Sequence, residues 1–556
     1  MGETKGIALL SVYDKQGIEA FARGLIELGW QVYASGGTAK AIQAAGLQVT
    51  DVSDLVGGQA ILGHRVVTLS REISAGLLAD KDNPADVAEM KKLGLPIIDL
   101  VCVDMYPLEE TILKPDAKRR DIIEQTDIGG PTMLRSAAKG GRIVLSHAEQ
   151  RQPVVDWLKA GRPDEEKFLQ ELAARAEYEV ARYVTTSAQY LGGANVSGLI
   201  ATINAPTKYG ENPQQAPAAF YADNRAEVDP LGLDQFEHVQ GMERSYVNMT
   251  DIDRLLQTVA HLAAGFERNF GKVPSIAVGV KHGNACGAGI SGTPVEAVQK
   301  MLAGDTRAIF GGVIMINAEI DEAVAQALMH HAMDGDKPRL LDGVIGASVT
   351  KEALELLSRN KLRVVVNSAL ADLSEKSLDH GRRQRPVRGG VLEQPNYDFV
   401  LDLSADYMQF HGQLDERQKH DMVLAWAVGA TSNSNTITLV QDGQLIGNGV
   451  GQQDRVGAAQ LALTRTTNEF PQLSEEGDSF ILKVTLNKQK LSGSVAYSDS
   501  FFPFPDGPEL LAKAGVKAIL ASSGSIGDEQ VIKTLTSAGV SIAMLPDKTG
   551  RGFYAH

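Results

Sequence analysis

Lys281 and His282 stand side by side at the end of an apolar run, Ile276 to Val280, inside the stretch VGVKHGNACGAG (278–289). A lysine, a histidine and a nearby cysteine at a strand end can serve three chemistries: a metal site, a thiol nucleophile, or acid–base catalysis. A zinc deaminase needs His-x-Glu and a later Pro-Cys-x-x-Cys. His282 has no glutamate two residues on, and Cys286 has no partner at C-x-x-C spacing, which argues against zinc. A thiol nucleophile needs an activating base. An extended strand end sends neighbouring side chains to opposite faces, so Cys286 reads as a packing residue. Acid–base work remains: a lysine beside a histidine favours the neutral imidazole, the form that accepts a proton. The plainer alternative is a strand end with one exposed lysine and one hydrogen-bonded histidine.

A second set of candidates lies near the N-terminus. The strand-like WQVYAS (30–35) runs into Ser35-Gly36-Gly37-Thr38, and a helix-like segment follows. Glycines turn backbone N–H groups toward a ligand, and hydroxyls and the helix N-terminus add donors, which together make an anion site. The alternative is a strand–helix turn capped by Thr38. Ser11 and Lys15 close the first strand, and ligands in such sheets bind at strand carboxyl ends. Asp127 opens a helix that ends near Lys139, and Tyr106 follows a third strand. Tyrosine, carboxylate and lysine are acid–base groups. Taken singly, each also reads as a cap, a core hydroxyl or a surface charge.

These residues need elements to hold them. GIALLS (6–11), WQVYAS, IDLVCV (98–103) and RIVLS (142–146) read as strands alternating with helical periodicity, which predicts an α/β domain with a parallel sheet. A long helix is expected over 165–190, then a glycine-rich break, placing a boundary near 191–200. Beyond it, strands are expected at 276–281, 308–316, 343–346 and 362–366, and helices at 294–303, 319–331 and 414–429. The arginine-rich stretch 375–399 reads as a long loop. TITLV, a turn at Gln441-Asp442-Gly443 and QLIGNGV read as a hairpin. The chain closes with strand–helix–strand. No tandem repeat is visible.

The 556 residues call for two to four domains. A net charge of −15 disfavours a general nucleic-acid binder, though it leaves room for a small anionic ligand. Two cysteines fit a reducing cytoplasm better than a disulfide framework. No apolar run approaches membrane-spanning length, and the N-terminus does not read as a signal peptide.

The motifs SVYDK, ASGGTAKAI, MYP, TDIGGPTMLRSAAK, KYGENP, VKHGNACG, FGGVI, TSNSNTI, GVGQQDR, SDSFFPFPD and GFYAH, in this order, resemble the bifunctional purine-biosynthesis family that joins an AICAR formyltransferase to an IMP cyclohydrolase. The resemblance runs from end to end. It implies a methylglyoxal-synthase-like cyclohydrolase domain over 1–197. Over 198–556 it implies a formyltransferase domain of two cytidine-deaminase-like α/β subdomains without zinc. In the first domain it puts phosphate on Ser35, Gly36, Gly37 and Thr38, helped by Ser11, Lys15, Arg65 and Thr68, with Tyr106, Asp127 and Lys139 in the catalytic neighbourhood. In the second it makes His282 the base, Lys281 its cationic neighbour and Asn435 the holder of the formyl oxygen. Lys208, Tyr209, Phe310, Gly311, Gly312, Phe501, Asp506 and Arg551 match positions that bind nucleotide and folate. The implied co-substrate is 10-formyltetrahydrofolate, acting on AICAR to give formyl-AICAR and then IMP, in a cytoplasmic homodimer that needs no metal; binding of a monovalent cation stays open.

In the first domain one stretch departs from the family pattern. In Gly63-His64-Arg65-Val66-Val67-Thr68-Leu69-Ser70-Arg71, Val67 stands where the family has a site lysine, Ser70-Arg71 replaces histidine–proline, and Ser74 replaces a later histidine. Valine cannot donate a proton, and losing one donor at a developing oxyanion costs on the order of 10²–10³ in rate. Two readings stay open: a full bifunctional enzyme, or a transferase whose first domain binds nucleotide or regulates. A phosphate-eliminating lyase at the first site is a third, by analogy of fold.

Overall fold

The structure is a computed structural model. It describes residues 5–554, apart from 64, 224–227, 334, 336, 360, 468, 470–471 and 477–478. The chain divides into two compact units, one reaching Thr202 and the other comprising Ile203–Ala222 and the residues from Val228 onward. Among the described residues, no helix is long and apolar enough to cross a membrane.

In the first unit, five parallel strands lie in the order Thr50–Asp51, Trp30–Ala34, Gly6–Ser11, Leu100–Val103, Ile143–Leu145. Four are those read from apolar runs in the sequence. The order reverses direction between Gly6–Ser11 and Leu100–Val103. The carboxyl ends of that pair therefore flank a switch-point crevice, where ligands bind in open α/β sheets. The long helix runs over Glu165–Gly192, and its buried Leu172, Ala176 and Val180 join the core of the sheet.

The second unit is built on twelve strands, in the order Gln409–His411, Ser541–Pro546, Ala518–Ser523, Val495–Ser498, Ile437–Gln441, Gln444–Gly449, Asn284–Ser291, Ser275–Lys281, Val313–Ile316, Gly343–Gly346, Arg363–Val366, Glu237–Gln240. This order mirrors itself about the middle, where Gly289 pairs with Gln444 in antiparallel register. Each half holds a central hairpin, an antiparallel neighbour, two further strands in parallel and an antiparallel edge. The halves are thus two copies of one plan, and the residues repeat it only sparsely, as glycines at 283, 287 and 289 and again at 443, 447 and 449. Two helices, Tyr246–Phe270 and Glu416–Ala430, pack in the core on one face. Apolar clusters under the remaining helices cover the other.

Several elements were not expected from the sequence, and three of them bear on the sites. Tyr246–Phe270 is buried on nearly every side from Asn248 to Phe266, polar Asp251, Arg254 and Gln257 included. Asn284–Ser291 (NACGAGIS) is a strand made of small residues. Its glycines are there for closeness: a Cβ on Gly287 or Gly289 would lie 2.2 Å from the carbonyl oxygen of Met301 or Ala297, on the helix Pro294–Leu302. The supposed loop at 375–399 contains a hairpin, Arg382–Val387 with Gly390–Pro395. Both its faces are largely exposed, so its residues show no apolar alternation.

Both central hairpins turn through two residues with positive φ: His282 (52°) and Gly283 (74°), then Asp442 (52°) and Gly443 (72°). This is the signature of a type I′ turn, whose twist matches that of paired strands. A buried carboxylate pins each turn. Asp251 accepts from the Gly283 N–H at 2.7 Å. Asp421 accepts from Gly443 N–H at 2.7 Å and Asp442 N–H at 2.9 Å. Burial raises the Asp421 carboxyl to about 6, against the pull of those two N–H groups and Arg417. The folded state therefore holds the extra proton, so the contribution to stability is full below the ordinary value of 3.8 and is lost as pH rises through about 6. Asp421→Asn is expected to flatten the loss of stability between about pH 4 and 6, measured as urea midpoints against the wild type.

Candidate active sites

In the second unit, Lys281 ends one strand and Asn284 begins the next, so His282 and Gly283 form the hairpin tip. The expectation of an extended strand end at His282 is corrected: the residue is left-handed, which turns the imidazole out at the tip instead of alternating it across a strand. The Lys281 ammonium donates to the Phe310 carbonyl at 2.6 Å and sits over Gly311. Gly311 has φ 70°, and Gly312 is buried beneath the same bend. The Phe310 ring is left half exposed.

The tip docks against the loop that follows the helix Glu416–Ala430. Asn284 Oδ1 accepts from Asn433 N–H at 3.1 Å. Asn435 is two residues further on; its Nδ2 donates to the Gln452 carbonyl at 2.9 Å, leaving the amide's second N–H as a donor. Arg254, unnoticed in the sequence, ties the parts together. Its Nε donates to the Gly283 carbonyl at 2.9 Å, and its Nη2 donates to the Thr431 carbonyl at 2.9 Å and to Asn433 Oδ1 at 3.0 Å. The guanidinium also lies 4.5 Å from the ring centre of Tyr554, and Arg383 lies 4.5 Å from the same ring and hydrogen-bonds its hydroxyl. Tyr554 is buried, and burial pushes its hydroxyl up to about 12. Such stacking is favourable when the cation is desolvated. Only a buried arginine three residues after the buried Asp251 marked this network, and it marked it weakly.

The remaining expected residues stand further out. Phe501 is half-buried, and Asp506 is exposed at the first position of helix Asp506–Ala514, accepting from Gly507 N–H at 2.8 Å. Arg551 pairs with Asp547 and stacks on Phe553, 5.1 Å from its ring centre. Lys208 and Tyr209 lie on an arm whose next residue, Gly210, lines a pocket together with Tyr246, where the helix carrying Asp251 begins. Cys286 Sγ donates to the Gly279 carbonyl at 3.4 Å, and burial pushes the thiol up to about 12, as a packing cysteine requires.

In the first unit, Ser35 precedes the helix Gly36–Ala44 without capping it; its hydroxyl meets that of Ser11 at 2.8 Å. The amides of the helix's first turn are therefore not taken up by a cap side chain. Thr38 Oγ1 exchanges hydrogen bonds with the backbone of Val12. The Lys15 ammonium donates to the carbonyls of Val12 and Tyr13 and lies beside Gly37. Tyr13 and Tyr106 meet edge to face at 5.5 Å over the switch point. Asp127 Oδ1 accepts from Gly130 N–H at 2.9 Å, and Thr68 packs against Gly129. Burial raises the Asp127 carboxyl, opposed by neighbouring backbone N–H groups, and burial with the Asp127 charge raises the Tyr106 hydroxyl. Tyr106 and Asp127 thus come together.

Lys139 does not join them within one chain. It is exposed at the far end of helix Gly129–Lys139, about 15 Å along the axis at 1.5 Å per residue. Arg65 is exposed and paired with Glu124, Nε to Oε2 at 3.1 Å. Val67 packs against the core. Ser70 caps helix Arg71–Leu78 by accepting from Ile73 N–H, and Ser74 donates to the Ser70 carbonyl. The substituted stretch is therefore a capped helix start; His64 lies outside the described residues, as do Ala555 and His556.

A family model described as AICARFT/IMPCHase bienzyme matches residues 137–465, and one for an MGS-like domain matches residues 17–132. The bifunctional purine biosynthesis protein PurH of Bacillus thuringiensis (strain Al Hakam) is 36% identical over 96% of this chain and 97% of its own. The chain belongs to the AICARFT/IMPCHase bienzyme family. PurH of Bacillus anthracis shows the same identity and coverage. Among solved structures, that of ForH is 34% identical, spans 34% of this chain and all of its own, with a TM-score of 0.30.

Because Arg254 holds both the hairpin tip and the tail, Arg254→Ala is expected to loosen both together. Amide exchange at Gly283 and Gly552 should rise about tenfold or more by mass spectrometry, while strand Ala518–Ser523 keeps its protection.

Proposed function

We propose that this chain transfers a formyl group from 10-formyltetrahydrofolate to the 5-amino group of AICAR, and then closes formyl-AICAR to IMP with loss of water. The observation that carries the reading is the His282–Gly283 turn, held by Asp251 and Arg254 against the loop of Asn433 and Asn435. The amino group of AICAR is conjugated with its ring and is a weak nucleophile. His282 takes its proton as the nitrogen attacks the formyl carbon. The developing oxyanion is met by the free N–H of Asn435. Lys281 stands beside the base as a fixed positive charge. The tetrahedral carbon then expels the folate nitrogen, which leaves with a proton. Phe310, Gly311, Gly312, Phe501 and Asp506 would line the ligands; Lys208, Tyr209 and Arg551 would grip base and phosphate. The protein would work in the cytoplasm as a homodimer.

For ring closure, phosphate would sit on the first turn of helix Gly36–Ala44 with Ser11, Lys15, Ser35 and Thr38, while Tyr106 and Asp127 move protons. Two observations favour a second reading, in which this step is slow and the first unit chiefly binds nucleotide. Val67 packs into the core where a cationic donor would stand, and Lys139 lies away from Tyr106 and Asp127.

His282→Ala is expected to lower formyl transfer by at least about 10³-fold while AICAR still binds; unchanged turnover would remove the role given to His282. Separate rates for formylation and ring closure on one preparation decide between the two readings. The slow-cyclohydrolase reading expects Val67→Lys to raise ring closure by about 10²-fold with formylation unchanged.

A further inference from the structure

The mirror plan of the second unit has a second cleft. The two central hairpins match step for step: Lys281, His282, Gly283 and Asn284 correspond to Gln441, Asp442, Gly443 and Gln444, and each ladder slips at the same distance from its turn. Each turn is pinned by a carboxylate from its own core helix. The first turn faces the chain entering the second hairpin, at 431–435. The second faces the chain entering the first hairpin, at Gly271–Ser275, because the two inner strands run antiparallel.

At this second turn lies a cavity of about 730 Å³, lined by Phe266, Phe270, Lys272, Lys300, His420 and Gly443 among others. That volume falls within the range of small-molecule sites. Part of the lining is aromatic: the Phe270 and His420 rings stack on each other, 3.8 Å apart at 11°. His420 Nδ1 meets the Glu416 carbonyl at 2.7 Å, which fixes the imidazole in that plane. The acids near the cavity are already engaged. Asp421 holds the turn and Arg417, Asp442 lies 3.5 Å from Arg417, and Glu416 pairs with Lys419 at 2.6 Å. Lys272, by contrast, pairs with no carboxylate among the described residues, and Lys300, which lies 3.5 Å from Glu296 and donates to the Ile290 carbonyl, adds a second ammonium.

We propose that this cavity is a second ligand site, for a planar heterocycle carrying an anionic group. The ring lies against the Phe270–His420 pair, and the anion meets Lys272 and Lys300. Gln441 and Asp442 stand where the first hairpin has its lysine and histidine, so this cleft binds without transferring a formyl group. A nucleoside monophosphate and a folate share the required chemistry.

Equilibrium dialysis of the full chain with IMP, and separately with folic acid, tests the site. Gly292→Trp sets a bulky ring at the lining, where a Cβ meets nothing within 4 Å, and Lys272→Glu reverses the rim charge. The wild type is expected to bind one equivalent per chain more than either variant, of IMP if the occupant is a nucleotide or of folic acid if it is a folate. Formyl transfer by the variants should stay within about twofold, which also shows that they fold. Equal stoichiometry for both probes in the wild type and Lys272→Glu overturns the proposal, whatever the Gly292→Trp variant does. A lack of formyl transfer in the wild type would count against the transferase reading and leave this stoichiometry to be read on its own.

Discussion

Helices lie directly on the centre of the twelve-stranded sheet, and they can do so only because the strands beneath them lack side chains at the points of contact. Gly287 and Gly289 admit one helix, and Gly447 and Gly449 admit its counterpart, where a Cβ would lie 2.3 and 2.1 Å from the carbonyl oxygens of Ala462 and Ala458. Backbone on backbone leaves no slack, since interiors pack at crystal-like density. The hairpins are thereby fixed in height and twist, and so are the turns at their tips. The imidazole proposed as the base sits on one of these turns. Its position is set by the packing of residues that carry no chemistry.

Polar interactions finish what this packing begins. A tip with two left-handed residues is not self-supporting when one of them is a histidine. Asp251 takes its amide, Arg254 takes its carbonyl, and the same guanidinium reaches across to Thr431 and Asn433. One side chain thus joins the two halves of the sheet at this point. In the first unit the crevice follows from strand order and is lined by hydroxyls and amides, and the buried Arg151 donates to the Gln16 carbonyl at 2.7 Å behind the loop that bears Lys15.

Features with a local cause are legible in the residues themselves. Lys281 and His282 follow an apolar run, SGGT follows a strand, and Asp442-Gly443 marks a turn between alternating segments. The features that escaped such reading have causes distant along the chain. The strand of NACGAGIS is stabilised by a helix lying over it, which no β propensity records. Arg254 and Asp251 belong to a helix buried all round, where polar residues look misplaced until their partners appear. Tyr554 is 300 residues from Arg254 along the chain and touches it in space. The mirror relation between the halves is legible in bulges and turns and in the few residues both keep, the pinning aspartates and the glycines at 283, 287 and 289 and at 443, 447 and 449, while the residues around them have diverged.

Distance along the chain is also distance in time during synthesis. The ring of Tyr554 takes both Arg254 and Arg383, each 4.5 Å from its centre, and Asp253 lies 3.7 Å from Arg383. A chain emerging from the ribosome makes both arginines and the His282 turn long before it can supply that ring. The proposed transferase centre is thus completed late, and a nascent chain that stops short of Tyr554 would carry every group assigned to the chemistry while lacking the ring on which Arg254 and Arg383 stack.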